Sequence, residues 1–574
     1  MRSSVPPVDL VLFHAPNVYD FRQKTILYGP VSDLVPSSPI FEMYPIGLVS
    51  IAEYLERAGY RVRIVNLAVR MLSDPDFDVQ KMVKSLDSPV YGIDLHWLPH
   101  AHGAIEVARM VKEHHPKSKL VFGGFTASYY HRELFQYPEI DYVLRGDTTE
   151  EPLRQLMDCI LKGTEPEGVP NLSWRDNKGE VHENPLSHVP NELDDVMVNY
   201  YNHVVRSAVR YRNLANYLPF KRWLRYPITA VITCRGCTQN CVYCGGSAPA
   251  FRHILNRDRP AFRPPEAVAN DVKRISHITK GPIFILGDIR QPGEDYAQRL
   301  LQLLARQEKK NQLILELFNP APRDFLQQMG EACPGFCLEI SPESHDPEVR
   351  RAVGKHYSNE ALEETMEGAL NAGCGRLDIY SIIGLPRQTP KSALDTIDYF
   401  GYLMDRFQSD KRLSFFTSPL APFLDPGCLA FEDSEQHGYR VLFRSLEEHR
   451  KALLEPSWKY TLNYETEWMS RQDIVETTYE AGLRLNRLKA KRGLITKDVA
   501  DATEERINTA LDMLRHIDAI VASGSRQEEQ LSHIKATVDR VSISTVCDKG
   551  ELELPTASIT LRPLRTLWSL VRTR

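Results

Sequence analysis

Four of the ten cysteines lie close together in the segment CRGCTQNCVYCGG (234–246). Their spacing is Cys234-x2-Cys237-x3-Cys241-x2-Cys244. Structural zinc sites usually draw two Cys-x2-Cys pairs from separated loops, and three intervening residues are few for that arrangement. Three thiolates from one short loop suit a [4Fe–4S] cluster, whose fourth iron then stays open to chelate the amino and carboxylate groups of a substrate. The spacing therefore favours an iron–sulfur cluster over zinc.

The other six cysteines are scattered rather than paired, which is typical of a protein in a reducing compartment. We therefore expect a cytoplasmic protein whose clustered cysteines bind a metal as thiolates. The 574 residues are too many for one hydrophobic core, and a net charge of -5 gives no reason to expect nucleic acid as a partner. The sequence contains neither an apolar run of the ~20 residues that a membrane span needs nor an N-terminal secretory pattern.

The first 155 residues alternate between apolar runs and amphipathic patterns. The apolar runs predict strands at 8–16, 60–68, 88–97, 119–128 and 141–147. This alternation predicts a parallel sheet wrapped by helices, which is a doubly wound, Rossmann-like α/β domain. Ligands of such sheets bind at the carboxyl ends of the strands. The candidate ligand contacts at these ends are His14, Pro16, Asn17, Leu95, His96, Gly123, Gly124, Thr126 and Gly146.

The glycine pair in the segment GGFTAS (123–128) can merely shape a turn, or it can let a ligand approach the backbone. The segment resembles the GG-x-x-x-S segment of the cobalamin-binding domain that precedes many radical S-adenosylmethionine (SAM) enzymes. The resemblance covers about residues 8–150 and implies that the strand-end candidates bind cobalamin. The segment HAPNVYDFR lacks the Asp-x-His-x-x-Gly motif whose histidine ligates cobalt from below. We therefore expect no histidine on the lower face, and expect Arg70 or the loop 17–21 there instead.

The cysteine loop follows the apolar strand ITAVIT (228–233) and has an aromatic residue before its last cysteine. A C-x3-C-x2-C loop in this setting resembles the radical SAM superfamily, and the later segments ILGD, SPES and IIGLP match strand ends of that family in order. The resemblance covers about residues 225–430 and implies a partial (β/α)6 barrel. It implies that the cluster ligands are Cys237, Cys241 and Cys244, with Cys234 outside the pattern. It implies that SAM is bound by Tyr243, Gly287, Asp288, Glu343, Ser344, Ile383 and Gly384.

These features divide the chain into four parts. We expect a cobalamin-binding domain at 1–155, a connector at 156–225, the barrel at 226–430 and an α-helical C-terminal domain at 431–574. The last part contains helical patterns and an aromatic-rich segment at 455–470.

The resemblance implies an enzyme that cleaves SAM reductively at its cluster and, with cobalamin, transfers a methyl group to an unactivated carbon. It implies a small-molecule or lipid substrate and an electron donor such as flavodoxin or ferredoxin. One alternative is a cobalamin-linked cyclase or rearrangement enzyme that transfers no methyl group. Another, of a different class, is a sensor protein that binds cobalamin or zinc. The sequence identifies no catalytic residue beyond the cofactor ligands.

Overall fold

Two sheets of mainly parallel strands follow each other along the chain, and helices cover both. The computed structural model describes residues 8–30, 38–193, 200–308, 311–524, 527–542 and 546–554. Within these ranges, short 3-10 helices occupy Phe21–Gln23, Leu98–His100, Glu133–Gln136, Ala215–Tyr217 and Glu435–His437.

The first sheet has seven strands in the order β2-β1-β3-β4-β5-β6-β7. The strands are β1 (Leu10–His14), β2 (Val62–Asn66), β3 (Val90–Asp94), β4 (Lys119–Gly123), β5 (Tyr142–Leu144), β6 (Leu172–Arg175) and β7 (Val181–Glu183). The first five pair in parallel, whereas β6 and β7 add antiparallel strands to one edge. Residues 172–183 lie in the segment that we expected to be a connector, and they instead extend this sheet.

Helices pack on this sheet between its parallel strands, as the alternating pattern predicted. They are α1 (Gly47–Arg57), α2 (Leu67–Ser73), α3 (Val79–Ser85), α4 (Ala101–His114), α5 (Phe125–Tyr129) and α6 (Glu150–Lys162). The helix α7 (Tyr200–Tyr211) follows and packs against α1. The five parallel strands are almost entirely buried, because helices cover both faces. The doubly wound, Rossmann-like fold is confirmed.

The second sheet is a partial barrel of six parallel strands in the order β15-β14-β13-β12-β11-β8. Its strands are β8 (Thr229–Ile232), β11 (Ile283–Leu286), β12 (Leu313–Leu317), β13 (Cys337–Glu343), β14 (Arg376–Ile383) and β15 (Leu413–Pro419). A small ribbon, β9 (Cys234–Arg235) with β10 (Ala261–Phe262), frames the cysteine loop. The helices are α8 (Ala248–Leu255), α9 (Pro265–Ile278), α10 (Glu294–Ala305), α11 (Arg323–Ala332), α12 (Pro347–Ala352), α13 (Asn359–Asn371) and α14 (Pro390–Arg406). The predicted partial (β/α)6 barrel is confirmed.

The C-terminal region is mainly helical, as predicted. It contains α15 (Leu429–Glu432), β16 (Tyr439–Val441), α16 (Leu446–Ala452), α17 (Trp458–Thr461), β17 (Tyr464–Thr466), α18 (Arg471–Lys491), α19 (Lys497–Ser523), α20 (Gln527–Val541) and α21 (Lys549–Leu552). The long helix α18 packs against α14 and β15. The helices of the described ranges are too short or too polar to cross a membrane.

The segment around α21 contacts the start of the barrel strands. Arg376, at the first position of β14, donates hydrogen bonds to the carbonyl oxygens of Glu551 (2.6 Å) and Glu553 (3.0 Å). The Tyr226 hydroxyl, just before β8, accepts a bond from the Leu554 amide at 3.2 Å. Residues 551–554 therefore link the start of β14 to the segment before β8, at the amino-terminal end of the barrel strands.

Candidate functional site

A cavity of about 670 Å³ lies between the carboxyl edge of the first sheet and the barrel. The strand ends of the first sheet and the start of α1 form one wall, and β8, β11 and residues near 219–223 form the other. Cys234 and Gly236 also line the cavity, so it extends to the cysteine loop. Its lining is mostly apolar, with the aromatic side chains Tyr44, Trp97, Phe122, Phe125, Phe220, Trp223, Phe251 and Phe284.

Four of the nine residues predicted to bind cobalamin line this cavity, namely His96, Gly123, Gly124 and Gly146. The others are buried away from it, namely His14, Pro16, Asn17, Leu95 and Thr126. His14 is engaged inside the sheet edge, where its Nδ1 lies 3.0 Å from Asp94 Oδ1 and its Nε2 lies 3.1 Å from the Phe41 carbonyl.

The two positions that we expected beneath the cofactor also lie away from the cavity. Arg70 donates a 3.0 Å hydrogen bond to Asn216 and stacks on Phe77, and the loop 17–21 does not reach the cavity lining. Trp97 and Phe125, which we did not select, do line it. Trp97 directly follows the candidate His96, and Phe125 directly follows the candidate Gly124. Extending each set of candidates by one residue would therefore have included both.

Gly124 brings the loops after β3 and β4 into direct contact. Its φ of 117° is unfavourable for other residues, and a Cβ there would lie 2.6 Å from the His96 Cα atom. The Thr126 amide and hydroxyl both donate to the His96 carbonyl, at 3.2 and 3.1 Å. The glycine pair therefore fixes the position of His96 at the edge of the cavity.

The predicted cluster ligands lie together in one compact loop. The Gln239 amide donates to Cys237 Sγ at 3.3 Å, and the Gly246 amide donates to Cys244 Sγ at 3.3 Å. The loop also packs against Gly354, where a Cβ would lie 2.9 Å from the Asn240 carbonyl oxygen. Amide-to-sulfur hydrogen bonds of this kind stabilise thiolates that ligate iron.

The surroundings of these three thiols suit the binding of metal cations. Burial raises the pKa of Cys237 to about 11 and also raises those of Cys241 and Cys244. Thiolates are therefore unfavourable in this loop without a compensating positive charge, which iron ions supply. The Cys234 thiol donates a hydrogen bond to the Gly236 carbonyl at 3.5 Å.

Asp288, one of the predicted SAM contacts, already has hydrogen-bond partners within the protein. Both carboxylate oxygens of Asp288 accept bonds from Arg290, at 2.9 and 2.6 Å, and one also accepts from the Phe318 amide at 3.0 Å. Glu316, on the neighbouring strand β12, instead accepts a hydrogen bond from the Gly287 amide. Burial, with a smaller contribution from Asp288, raises the pKa of Glu316 to about 7. Glu316 is thus the acid available beside Gly287, and our sequence analysis missed it.

The turn after β13 brings two charged groups to the cysteine loop. Glu343 adopts a left-handed φ of 66°, and its Oε1 accepts a 2.6 Å hydrogen bond from Lys355 Nζ. The charges of both lie close enough to Cys241 to affect its pKa, and burial, together with the charge of Glu343, raises the pKa of Tyr243. Ser344, by contrast, is fully buried against Thr396.

The last two predicted SAM contacts lie at the end of β14. Ile383 is buried in the core. The Gly384 amide donates to Gln388 at 2.9 Å, and its carbonyl accepts from the Tyr439 hydroxyl at 3.0 Å. Both backbone groups of Gly384 therefore already have a hydrogen-bond partner within the protein.

Two buried ion pairs join the first domain to the barrel next to the cavity. Arg235 pairs with Glu150 (2.5 Å), and Arg257 pairs with Asp147. Burial opposes ionisation of Glu150, but Arg235 outweighs it and lowers the pKa of this carboxyl. Because Arg235 stands between two cysteines of the cluster segment, this pair ties that segment to the first domain.

Two family models match separate parts of the chain. Residues 37–155 match the family model of the B12 binding domain, and residues 231–400 match that of the radical SAM superfamily. The structure is also similar in fold to the radical SAM methyltransferase TsrM from Kitasatospora setae, solved with cobalamin and a [4Fe–4S] cluster. The TM-score is 0.57 at 15% identity, over 86% of this chain and 90% of that one.

Proteins similar in sequence include two that are named as a methyltransferase or a methylase. An uncharacterized methyltransferase of Pyrococcus horikoshii is 29% identical over 210 residues, which are 35% of this chain and 40% of that protein. The hopanoid C-3 methylase of Methylococcus capsulatus is 26% identical over 302 residues, 50% of each chain. The matched part thus spans half or less of the length of these relatives.

Proposed function

We propose that this chain, which belongs to the radical SAM proteins that carry a B12-binding domain, is a methyltransferase. Its cofactors are cobalamin, SAM and a [4Fe–4S] cluster. When bound, the cluster supplies the electron that splits SAM, and cobalamin carries the methyl group. Both relatives described above are named as methyltransferases or methylases, which supports this reaction.

The observation that carries the proposal is the shared cavity. A single cavity extends from the strand ends of the B12-binding domain, at Gly123 and Gly124, to Cys234 and Gly236 beside the cluster segment. A substrate in it contacts both domains at once. The apolar lining excludes water from the space where a reactive radical forms, and this protects the radical from side reactions.

The residues of the chain hold and orient the reactants. We propose that Cys237, Cys241 and Cys244 bind the cluster and that Glu316 holds the SAM ammonium group, because its carboxylate lies beside the Gly287 amide. Tyr243 and Glu343 lie next to the cysteine loop and are proposed to contact the nucleoside part of SAM. The glycines at 123, 124 and 146 leave room for cobalamin at the sheet edge.

The reacting part of the substrate is proposed to be uncharged and apolar, as in a lipid or an apolar small molecule. The acids that line the cavity are paired with cations or histidine: Asp94 with His14, Asp147 with Arg257 and Glu150 with Arg235. A charged substrate group in this cavity would therefore remain desolvated and uncompensated.

The electron is proposed to come from a small redox protein such as flavodoxin or ferredoxin. None of the ten cysteines, all of which lie in described residues, is in a disulfide bond. We therefore propose a reducing compartment such as the cytoplasm.

The test is anaerobic reconstitution with iron, sulfide and cobalamin, followed by reduction in the presence of SAM and lipid extract. Methyl transfer predicts both S-adenosylhomocysteine and 5′-deoxyadenosine, together with deuterium in a product when the SAM methyl group is deuterated. 5′-Deoxyadenosine without S-adenosylhomocysteine would instead indicate the cyclase or rearrangement alternative. Bound zinc without iron and no SAM cleavage would indicate the sensor. The Cys241→Ala variant is the control, because it should lose both products.

A further inference from the structure

Residues 200–225 carry a local excess of positive charge in an acidic protein. They contain six Lys and Arg residues and no Asp or Glu, whereas the whole chain has a net charge of -5. Three of the six pair with acids of the protein: Arg206 and Arg210 with acids of α1, and Arg222 with Glu553. The other three are exposed and make no ion pair with a described residue, namely Arg212, Lys221 and Arg225. These three cations therefore remain available to an anionic partner.

This segment lies along one edge of the first sheet, where β2 is the outermost strand. The Tyr211 hydroxyl donates to the Val62 carbonyl at the start of β2, at 3.4 Å. The Asn66 side-chain amide at the end of β2 donates to the Leu218 carbonyl at 3.1 Å. The segment thus follows β2 over its whole length, and its outward side chains lie on the same side of the molecule.

Exposed apolar side chains accompany these cations. Val209, Leu214 and Leu224 are 66%, 42% and 43% exposed. They are three of the seven large apolar side chains that are exposed in the described ranges, so such side chains are concentrated in this segment. Exposed apolar groups among Lys and Arg suit a membrane surface, where the apolar groups enter the interface and the cations contact lipid phosphates. A soluble anion or a nucleic acid would leave the apolar groups in water.

Other cations add to the positive charge at this place. Burial lowers the pKa of Lys549 on α21, and Glu42 opposes this effect. The charges of Arg222, Arg506 and Lys221 lower it further. These cations therefore repel one another, and an anionic surface relieves the repulsion.

The last described residue lies beside the same segment. The Leu554 amide donates to the hydroxyl of Tyr226, which directly follows Arg225. Residues 555–574 lie outside the described residues, and their sequence contains four Arg and no Asp or Glu. Because their charge has the same sign as that of the segment, they are a poor partner for it. Both suit the same anionic surface.

We propose that this side of the protein docks on a bilayer that contains anionic phospholipids. The docking residues, which we call the basic face, are Val209, Arg212, Leu214, Lys221, Leu224 and Arg225. The proposal goes beyond methyl transfer, because binding to a surface requires neither SAM nor cobalamin. Docking places the cavity close to the bilayer, since Phe220 and Trp223 of the same segment line the cavity.

The test is sedimentation of the full chain with vesicles of phosphatidylcholine, either alone or mixed with phosphatidylglycerol. We expect binding to the mixed vesicles only. Binding should weaken as the salt concentration rises to about 1 M, where the Debye length falls to ~3 Å. The variant Arg212→Gln/Lys221→Gln/Arg225→Gln should bind roughly 100-fold more weakly, because each cation at an anionic surface contributes about 5-fold.

A charge-matched variant is the control for this loss. Lys84→Gln/Lys117→Gln/Lys273→Gln removes the same number of positive charges from exposed positions outside the basic face. It should bind the mixed vesicles as the wild type does. An equal loss in both variants would show that only the net charge of the protein matters, and would overturn the proposal.

A second pair of variants distinguishes a bilayer from other anions. Leu214→Gln/Leu224→Gln keeps every charge and should also weaken binding to the mixed vesicles. Leu161→Gln/Val181→Gln changes two apolar side chains that are similarly exposed elsewhere, at 47% and 48%, and should not. Circular dichroism of each variant checks that the fold is kept.

The remaining outcomes decide against the bilayer. Failure of the wild type to bind the mixed vesicles overturns the proposal. Binding to duplex DNA or to inorganic phosphate as tightly as to the vesicles, without any effect of Leu214→Gln/Leu224→Gln, assigns the basic face to a soluble anion and also overturns it. Neither result bears on the proposed function, which is tested by the products of SAM.

Discussion

The ion pair between Arg235 and Glu150 allows a quantitative test of how the two domains are joined. The side chains are only 10% and 5% exposed, and Ser50 donates a further 2.7 Å hydrogen bond to the carboxylate. Arg235→Met removes the cation and leaves a buried carboxylate. Breaking a buried pair in this way typically costs about 3–5 kcal/mol of folding free energy.

Protonation of Glu150 limits this cost. For a glutamate of ordinary pKa near 4.3, the free-energy cost of protonation is about 4 kcal/mol at about pH 7 and only ~1 kcal/mol at about pH 5. In the wild type the lowered pKa of Glu150 stabilises the fold above its unfolded-state pKa, and this contribution is lost as the pH falls through the folded-state value. In Arg235→Met, burial alone acts on the carboxyl and raises its pKa. The free energy of unfolding that Arg235→Met loses relative to the wild type is therefore largest at neutral pH and becomes smaller as the pH falls.

The measurement is urea unfolding of the cofactor-free protein under reducing conditions, between about pH 5 and pH 7. We expect the variant to lose about 3–4 kcal/mol at neutral pH and ~1 kcal/mol at the acidic end. The double variant Arg235→Met/Glu150→Gln is the control. It carries no charge at these two positions and should show a small loss of stability that does not depend on pH. A deficit in Arg235→Met that stays constant across this range would refute the electrostatic reasoning and indicate lost packing of the arginine stem.

Three further predictions concern the cofactor sites. Because the pKa of Glu316 is about 7, SAM binding to the cluster-loaded protein should tighten as the pH rises through 7 and release a proton; calorimetry in two buffers measures this release, and Glu316→Gln should abolish it. Gly124→Ala should destabilise the fold by at least ~1 kcal/mol in thermal unfolding and reduce cobalamin retention, because its Cβ would lie 2.6 Å from the His96 backbone. Cys241→Ala should abolish the absorption of the reconstituted cluster, whereas Cys234→Ala should keep it; equal loss in both would contradict the three-cysteine assignment.

The sequence predicted the two sheets and the compact cysteine loop because these features depend on local patterns. Apolar runs such as 8–16 and 228–233 become buried parallel strands whatever their partners are. The loop positions of Cys237, Cys241 and Cys244 follow from their short spacing alone.

Contacts between distant segments could not be predicted in this way. His14 is withdrawn from the cavity by Asp94, which is 80 residues away in sequence. Asp288 is paired with Arg290, only two residues further along the chain, whereas the acid beside Gly287 is Glu316, which is 29 residues away on the next strand. The spacing of residues along one strand does not indicate which other side chain will bond to a given histidine or acid.

The contacts that residues 551–554 make at the amino-terminal end of the barrel strands can form only late in the synthesis of the protein. A ribosome completes all six barrel strands more than a hundred residues before it adds Glu551, Glu553 and Leu554. Until then, Arg376 and Tyr226 lack the backbone partners that these residues provide. These hydrogen bonds between the start of β14, the segment before β8 and the C-terminal region can therefore form only after more than 550 residues have been made.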